Sequence, residues 1–106
     1  MVAKGPENTV DFAYLESFAA GDHTVIAEVL TLFRQQAAMW EEGLQAGNAG
    51  LPDLLHTIKG AARGVGANVL GDNCAVAEAE GAAKLPQVKA ALQDALSEMA
   101  AYTASA

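Results

Sequence analysis

The stretch Leu51-Pro52-Asp53-Leu54-Leu55-His56-Thr57-Ile58-Lys59-Gly60-Ala61-Ala62-Arg63-Gly64 decides how the chain folds. Leu51, Leu54, Leu55, Ile58, Ala61, Ala62 and Val65 recur at three- and four-residue intervals, so on a wheel of about 3.6 residues per turn they form one apolar side. His56, Lys59, Gly60 and Arg63 fall on the outward side. Pro52 suits a first helical turn, where a missing amide hydrogen costs little, and Gly47, Asn48 and Gly50 mark the break before it. The spacing predicts a helix from about Leu51 to about Gly64 that buries one side and presents a histidine on the other.

The same spacing recurs on both sides of this helix. Thr9 to about Ala19 carries Phe12, Leu15 and Phe18 at helical spacing and is broken by Gly21, a short lead helix. Asp22 is placed to cap a long second helix reaching about Ala46, whose buried stripe is Ile26, Val29, Leu30, Phe33, Ala37, Trp40 and Leu44. A fourth helix is predicted from about Ala67 to Ala83, with Leu70, Cys74, Ala77 and Gly81 inward. Pro86 opens a fifth, striped by Val88, Leu92, Ala95, Leu96, Met99 and Tyr102. With no alternating strand pattern, the expected fold is all-α: a four-helix up-and-down bundle with a short additional N-terminal helix. Its 106 residues suit a single domain. Met1 to Asn8 and the last few residues are expected to be loose.

Composition excludes several function classes. Thirteen acidic against six basic side chains give a net charge of −7, the wrong sign for nucleic acid or an acidic membrane surface. No window approaches the ~20 apolar residues that span a bilayer, and Met1 to Pro6 lacks the pattern of a signal peptide, so a cytoplasmic location is expected. Cys74 is the single cysteine and cannot form an internal disulfide. One Cys with two distant His residues gives no metal-ligand spacing, and with no Gly-rich phosphate loop no cofactor is implied.

A histidine on a helix is weak evidence by itself, but its neighbours add chemistry. Lys59 and Gly60 lie three and four residues beyond His56, on the same helical face at roughly 5 to 6 Å. A phosphoryl group carries up to two negative charges, so an ammonium beside the imidazole stabilises both the transfer and the phosphohistidine. An imidazole titrates near about 6.5, which leaves a neutral nucleophilic nitrogen at physiological pH. Gly in a helix interior costs about 1 kcal/mol relative to Ala. At Gly60 the gain is close approach of a partner to the imidazole. Lys59 and Arg63 would equally suit a solvated face, and Gly64 with Gly66 reads as a helix terminus. His23, at the start of the second helix, has no Lys-Gly after it and reads as an ordinary surface residue; Cys74, Trp40 and the methionines read as core.

The run from His56 to Ala67, followed by Leu70, Cys74 and Glu78, resembles the signature of the histidine-phosphotransfer family: His, any residue, an aliphatic, Lys-Gly, small residues, then an aliphatic followed by Gly-Ala. The resemblance covers nearly the whole chain. It implies a helical bundle, a phosphoacceptor role for His56, charge stabilisation by Lys59 and access at Gly60. Cys74 and Glu78 match positions that are chiefly structural. Ile58 replaces a common Leu, and Ala61-Ala62 replace a pair that often holds Ser.

The resemblance further implies exchange of a phosphoryl group with aspartates of response-regulator receiver domains, which bring their own acidic cluster and Mg²⁺. A hybrid histidine kinase joins the expected partners, and the chain is expected to act as a monomer. Docking would draw on Arg63 and Gly64 and on Val25, Leu32, Gln36 and Met39 of the second helix, unless those pack against neighbouring helices; Gln36 is also placed to orient the imidazole. The rival is a helical scaffold that binds a partner without phosphorylation, against which His56, Lys59 and Gly60 stand together. A redox or metal sensor using His23, His56 and Cys74 would need faces that the helical wheel separates.

Overall fold

Two carboxylates start the first two helices in the computed structural model, which describes residues 9–105. Asp11 accepts from the Tyr14 amide at 3.1 Å and opens α1 (Phe12–Phe18). Asp22 accepts from the Thr24 and Val25 amides at 3.0 and 3.3 Å and opens α2 (His23–Gly43), satisfying donors that have no partner within the helix. α3 (Leu51–Gly64) begins with Pro52 in its first turn and no side-chain cap. α4 spans Asn68–Glu80, a 3-10 turn covers Ala82–Lys84, and α5 spans Leu85–Ser105. The described residues contain no strand.

The four long helices close a ring in which α2 meets α3, α3 meets α4, α4 meets α5 and α5 returns to α2, while α1 rests on α2. Each sends its apolar stripe to the middle. Ile26, Leu30, Phe33, Ala37 and Trp40 meet Leu55, Ile58 and Ala62, and Leu70, Cys74 and Ala77 meet Val88, Leu92, Ala95 and Met99. Among the described residues no polar or charged residue is buried, so apolar burial holds the bundle. Truncating fully buried Ile58 to Ala would cost about 2 to 5 kcal/mol.

A carboxylate ties the lead segment to the bundle. Glu98 on α5 accepts from the Thr9 amide at 2.7 and 2.9 Å, from the Thr9 hydroxyl at 2.8 Å and from the Val10 amide at 2.9 Å. Phe12 stacks on Tyr102 with ring centroids 4.4 Å apart, and the Tyr102 hydroxyl donates to Glu16 at 2.7 Å.

Several boundaries differ from those predicted by periodicity. α2 ends at Gly43, three residues before Ala46, because the Asn48 side-chain amide donates to the Gly43 carbonyl at 2.8 Å and turns the chain; Leu44 stays buried after the helix has ended. α4 ends at Glu80, and Gly81, expected inward, is exposed at φ +93° as the helix stop. Phe18 is exposed, since α1 buries only Leu15 fully. Val29, Leu96 and Tyr102 are half-buried. Far from loosening, the chain continues in α5 to Ser105, and the expectation for Met1 to Asn8 lies outside the described residues. No helix among the described residues is long and apolar enough to cross a membrane.

Candidate functional site

The turn between α3 and α4 is three residues long, and glycine is required in it. Gly66 sits at φ +82°, where a side chain is strained, and a β-carbon there would stand 2.9 Å from the Asp11 carbonyl oxygen. The Gly66 carbonyl accepts from the Asp11 amide at 2.8 Å, which seats α1 on the turn. So short a connection makes α3 and α4 antiparallel neighbours and lays their outward faces side by side.

On that double face His56 is exposed, with 77% of its side-chain surface accessible. Its Nδ1 lies 3.6 Å from Glu78 Oε2, and Lys59 Nζ lies 2.5 Å from Glu78 Oε1. One carboxylate from α4 thus bridges the two residues singled out on α3. The Lys59 hydrogen bond, with a smaller contribution from His56, holds the Glu78 carboxyl below the usual carboxylate range. Further along the hairpin, Arg63 Nη2 lies 3.3 Å from Asp72 Oδ1.

Two contacts lie outside what helical periodicity shows. Glu78 of α4 meets both His56 and Lys59, so the Lys59 ammonium is paired with a carboxylate beside the imidazole. Arg63 on the outward side is paired with Asp72. The signal lay in hairpin register. Once α3 and α4 are joined by three residues, Lys59 falls level with Glu78 and Arg63 with Asp72, opposite charges at matching heights.

The glycines behave differently from one another. Gly60 is exposed in mid-helix and a β-carbon on it would meet nothing within 4 Å, so the side beside His56 is open to approach. Gly64 is exposed too, but ends α3, with Val65 as cap and Gly66 after it.

On the opposite flank of α3 a shallow groove of about 290 Å³ runs between α2 and α3, lined by Phe18, Val29, Leu32, Gln36, Ala61 and Gly64 among others. Val25, Leu32 and Met39 are all exposed, Met39 to 73%. Leu32 and Gln36 line the groove; Val25 and Met39 continue the same α2 stripe beyond it. Gln36 faces this groove, and no hydrogen bond among the described residues joins it to His56. Phe18 adds an exposed aromatic to the groove.

Other candidates stay apart. The His23 ring approaches Tyr102 edge-on at 6.5 Å, at the start of α2. Cys74 is fully buried, and burial, with the nearby Glu78 charge, pushes its thiol up to about 11. Among the described residues no group of three or more His, Cys, Asp or Glu is placed to hold a metal ion.

An exposed imidazole with a lysine and a carboxylate at hand can hold a transferred group. No protein-family model and no curated protein matches the chain. Among solved structures, histidine phosphotransferase ShpA from Caulobacter crescentus is similar over 92% of each chain, with 52% sequence identity and a TM-score of 0.84.

Proposed function

The chain belongs to the histidine-phosphotransfer family, and from that premise we propose that His56 accepts a phosphoryl group from the phospho-aspartate of one response-regulator receiver domain and passes it to the aspartate of another. It is a phosphoryl carrier, not a kinase. The reading is carried by one observation: His56 stands exposed on the α3–α4 face with Lys59 and Glu78 beside it.

In the forward step the neutral Nε2 attacks phosphorus. The N–P bond forms as the P–O bond to the aspartate breaks, and the carboxylate leaves with its electron pair. Glu78 faces Nδ1, so a small rotation would bring the 3.6 Å contact to hydrogen-bond range and keep the ring proton on Nδ1, leaving Nε2 as nucleophile. Lys59 stabilises the charge of the transferring group. The receiver supplies Mg²⁺ and the acidic groups, so this chain needs only nucleophile, cation and docking surface. Gly60 leaves the approach clear, while Gly64, Leu32 and Gln36 at the groove, Val25 and Met39 along the same stripe, and Arg63 contribute to docking. Phe18 joins that surface. Carriage as a monomer in the cytoplasm, with a hybrid histidine kinase upstream, completes the proposal.

The test is transfer of radiolabelled phosphate from charged receiver domains. His56→Gln should take up no label yet keep its helical circular dichroism, since an outward side chain adds little to core burial. His23→Gln should accept label normally. A dead His23 variant beside an active His56 variant would overturn the assignment.

A further inference from the structure

Lys59 has two claims on it. Its ammonium already touches Glu78 Oε1 at 2.5 Å, and the other oxygen of the same carboxylate lies 3.6 Å from the His56 ring. A phosphoryl group on Nε2 would bring up to two negative charges into a space shared by one ammonium and one carboxylate. Of the other cations on the hairpin and the turn after it, Arg63 is paired with Asp72 and Lys84 lies 3.6 Å from Glu80. Glu78 is held charged by the contacts that surround it. Lys59 cannot give its full charge to both anions, and the carboxylate repels the phosphoryl group whenever the ammonium turns away.

We propose that Glu78 competes with the phosphoryl group on His56 for Lys59 and thereby keeps the phosphohistidine short-lived and ready to transfer. This rests on the phosphoacceptor reading of His56. A carrier that bound its cargo with an unshared lysine would accept readily and release slowly. Sharing the lysine with a carboxylate lowers the stability of the charged carrier without removing the cation from the transfer itself.

Spontaneous loss gives the direct measure. In that step the oxygen of water bonds to phosphorus as the P–Nε2 bond breaks, the electron pair returns to Nε2, and a proton from water passes to solvent. The protein is charged with phosphoramidate, a small donor that needs no receiver, and the decay of phosphohistidine is followed by ³¹P NMR in the parent, Glu78→Gln, Lys59→Ala and the double variant. Glutamine keeps an acceptor facing Nδ1 while removing the charge. Glu78→Gln should lengthen the lifetime about two- to fivefold, the range of an exposed charge pair. The same change made in the Lys59→Ala background should gain less, because no ammonium remains to be released. Circular dichroism confirms that each variant is folded, and Glu78→Ala provides a second removal of the charge.

An unchanged lifetime in both Glu78 variants would overturn the proposal. So would an equal gain with and without Lys59, which would make Glu78 a simple repulsive charge. Failure of the folded parent to form phosphohistidine on His56 would instead defeat the phosphoacceptor reading itself.

Discussion

Arg63 lies across the backbone of Gly71. A β-carbon on Gly71 would stand 2.9 Å from Arg63 Cγ and 3.1 Å from Nε, and Gly71 is buried under that stem. The overlay carries the guanidinium to Asp72. Gly71→Ala would gain up to about 1 kcal/mol of helix propensity and push aside a flexible, half-exposed side chain. Its thermal stability should therefore stay within about 1 kcal/mol of the parent; a loss beyond about 2 kcal/mol would show that Arg63 cannot yield.

The pairing of Arg63 with Asp72 makes two opposite changes in docking predictable. Arg63→Ala should weaken binding to a receiver's acidic mouth at low salt, whereas Asp72→Asn, which frees the guanidinium, should tighten it. Each effect should be no more than about fivefold, the range of an exposed pair, and should fade as salt screens it. Titration calorimetry over a range of ionic strength checks both, and a salt-independent effect would mean that the residues contribute by packing.

At Gly60 stability and transfer should part company. Gly60→Ala should raise the melting temperature slightly, as it adds up to about 1 kcal/mol of helix propensity in open space. Gly60→Leu should fold yet transfer slowly at saturating receiver, because its side chain stands where the partner approaches. Transfer by Gly60→Leu at the parent rate would remove the access role.

Lys59→Ala should lower the saturated transfer rate roughly tenfold or more and shorten the phosphohistidine lifetime, since it removes a cation aimed at the transferring group. Rapid-quench transfer at saturating receiver is the measurement. A variant that only needed more partner to reach the same rate would make Lys59 a docking residue.

Glu78 and Cys74 each contribute to the pH dependence of stability. Glu78 has a lowered folded pKa, so the stability from its pairing is present above its ordinary value of 4.5 and is lost as pH falls through the folded value. Glu78→Gln should flatten that acid limb in denaturant titrations. Cys74 has a raised one, so its contribution is present below 9.0 and is lost as pH rises towards about 11. Native Cys74 should also resist iodoacetamide at pH 8 and react once the chain is unfolded; rapid alkylation of the native protein would contradict its burial.

The sequence made α3 legible from about Leu51 to about Gly64, because Pro52 sits at one end, Gly64 and Gly66 at the other, and the apolar stripe has few gaps. His56, Lys59 and Gly60 could be placed on one face for the same reason. Apolar spacing placed Leu44 in the core but carried the helix past its end at Gly43, and it did not show that Phe18 stays exposed. Glu78 was missed because helical periodicity describes one helix at a time. Which carboxylate of α4 meets which cation of α3 depends on the register of the hairpin, and the Val65-Gly66-Ala67 turn fixes that only in three dimensions.

The cluster at His56 and the tie at Glu98 differ greatly in how much chain must be closed to form them. His56, Lys59 and Glu78 come together within one hairpin, across 19 residues for the lysine and carboxylate, whereas Thr9 meets Glu98 across 89. Loop-closure entropy grows with the length closed, so the hairpin can assemble early, while docking of the lead segment completes a structure that already exists. By the same asymmetry, α1 forms a unit that can undock while the α3–α4 hairpin stays intact. Its amides should exchange with solvent deuterium ahead of those of α3 and α4, and fluctuation of the lead helix should leave the competence of His56 untouched.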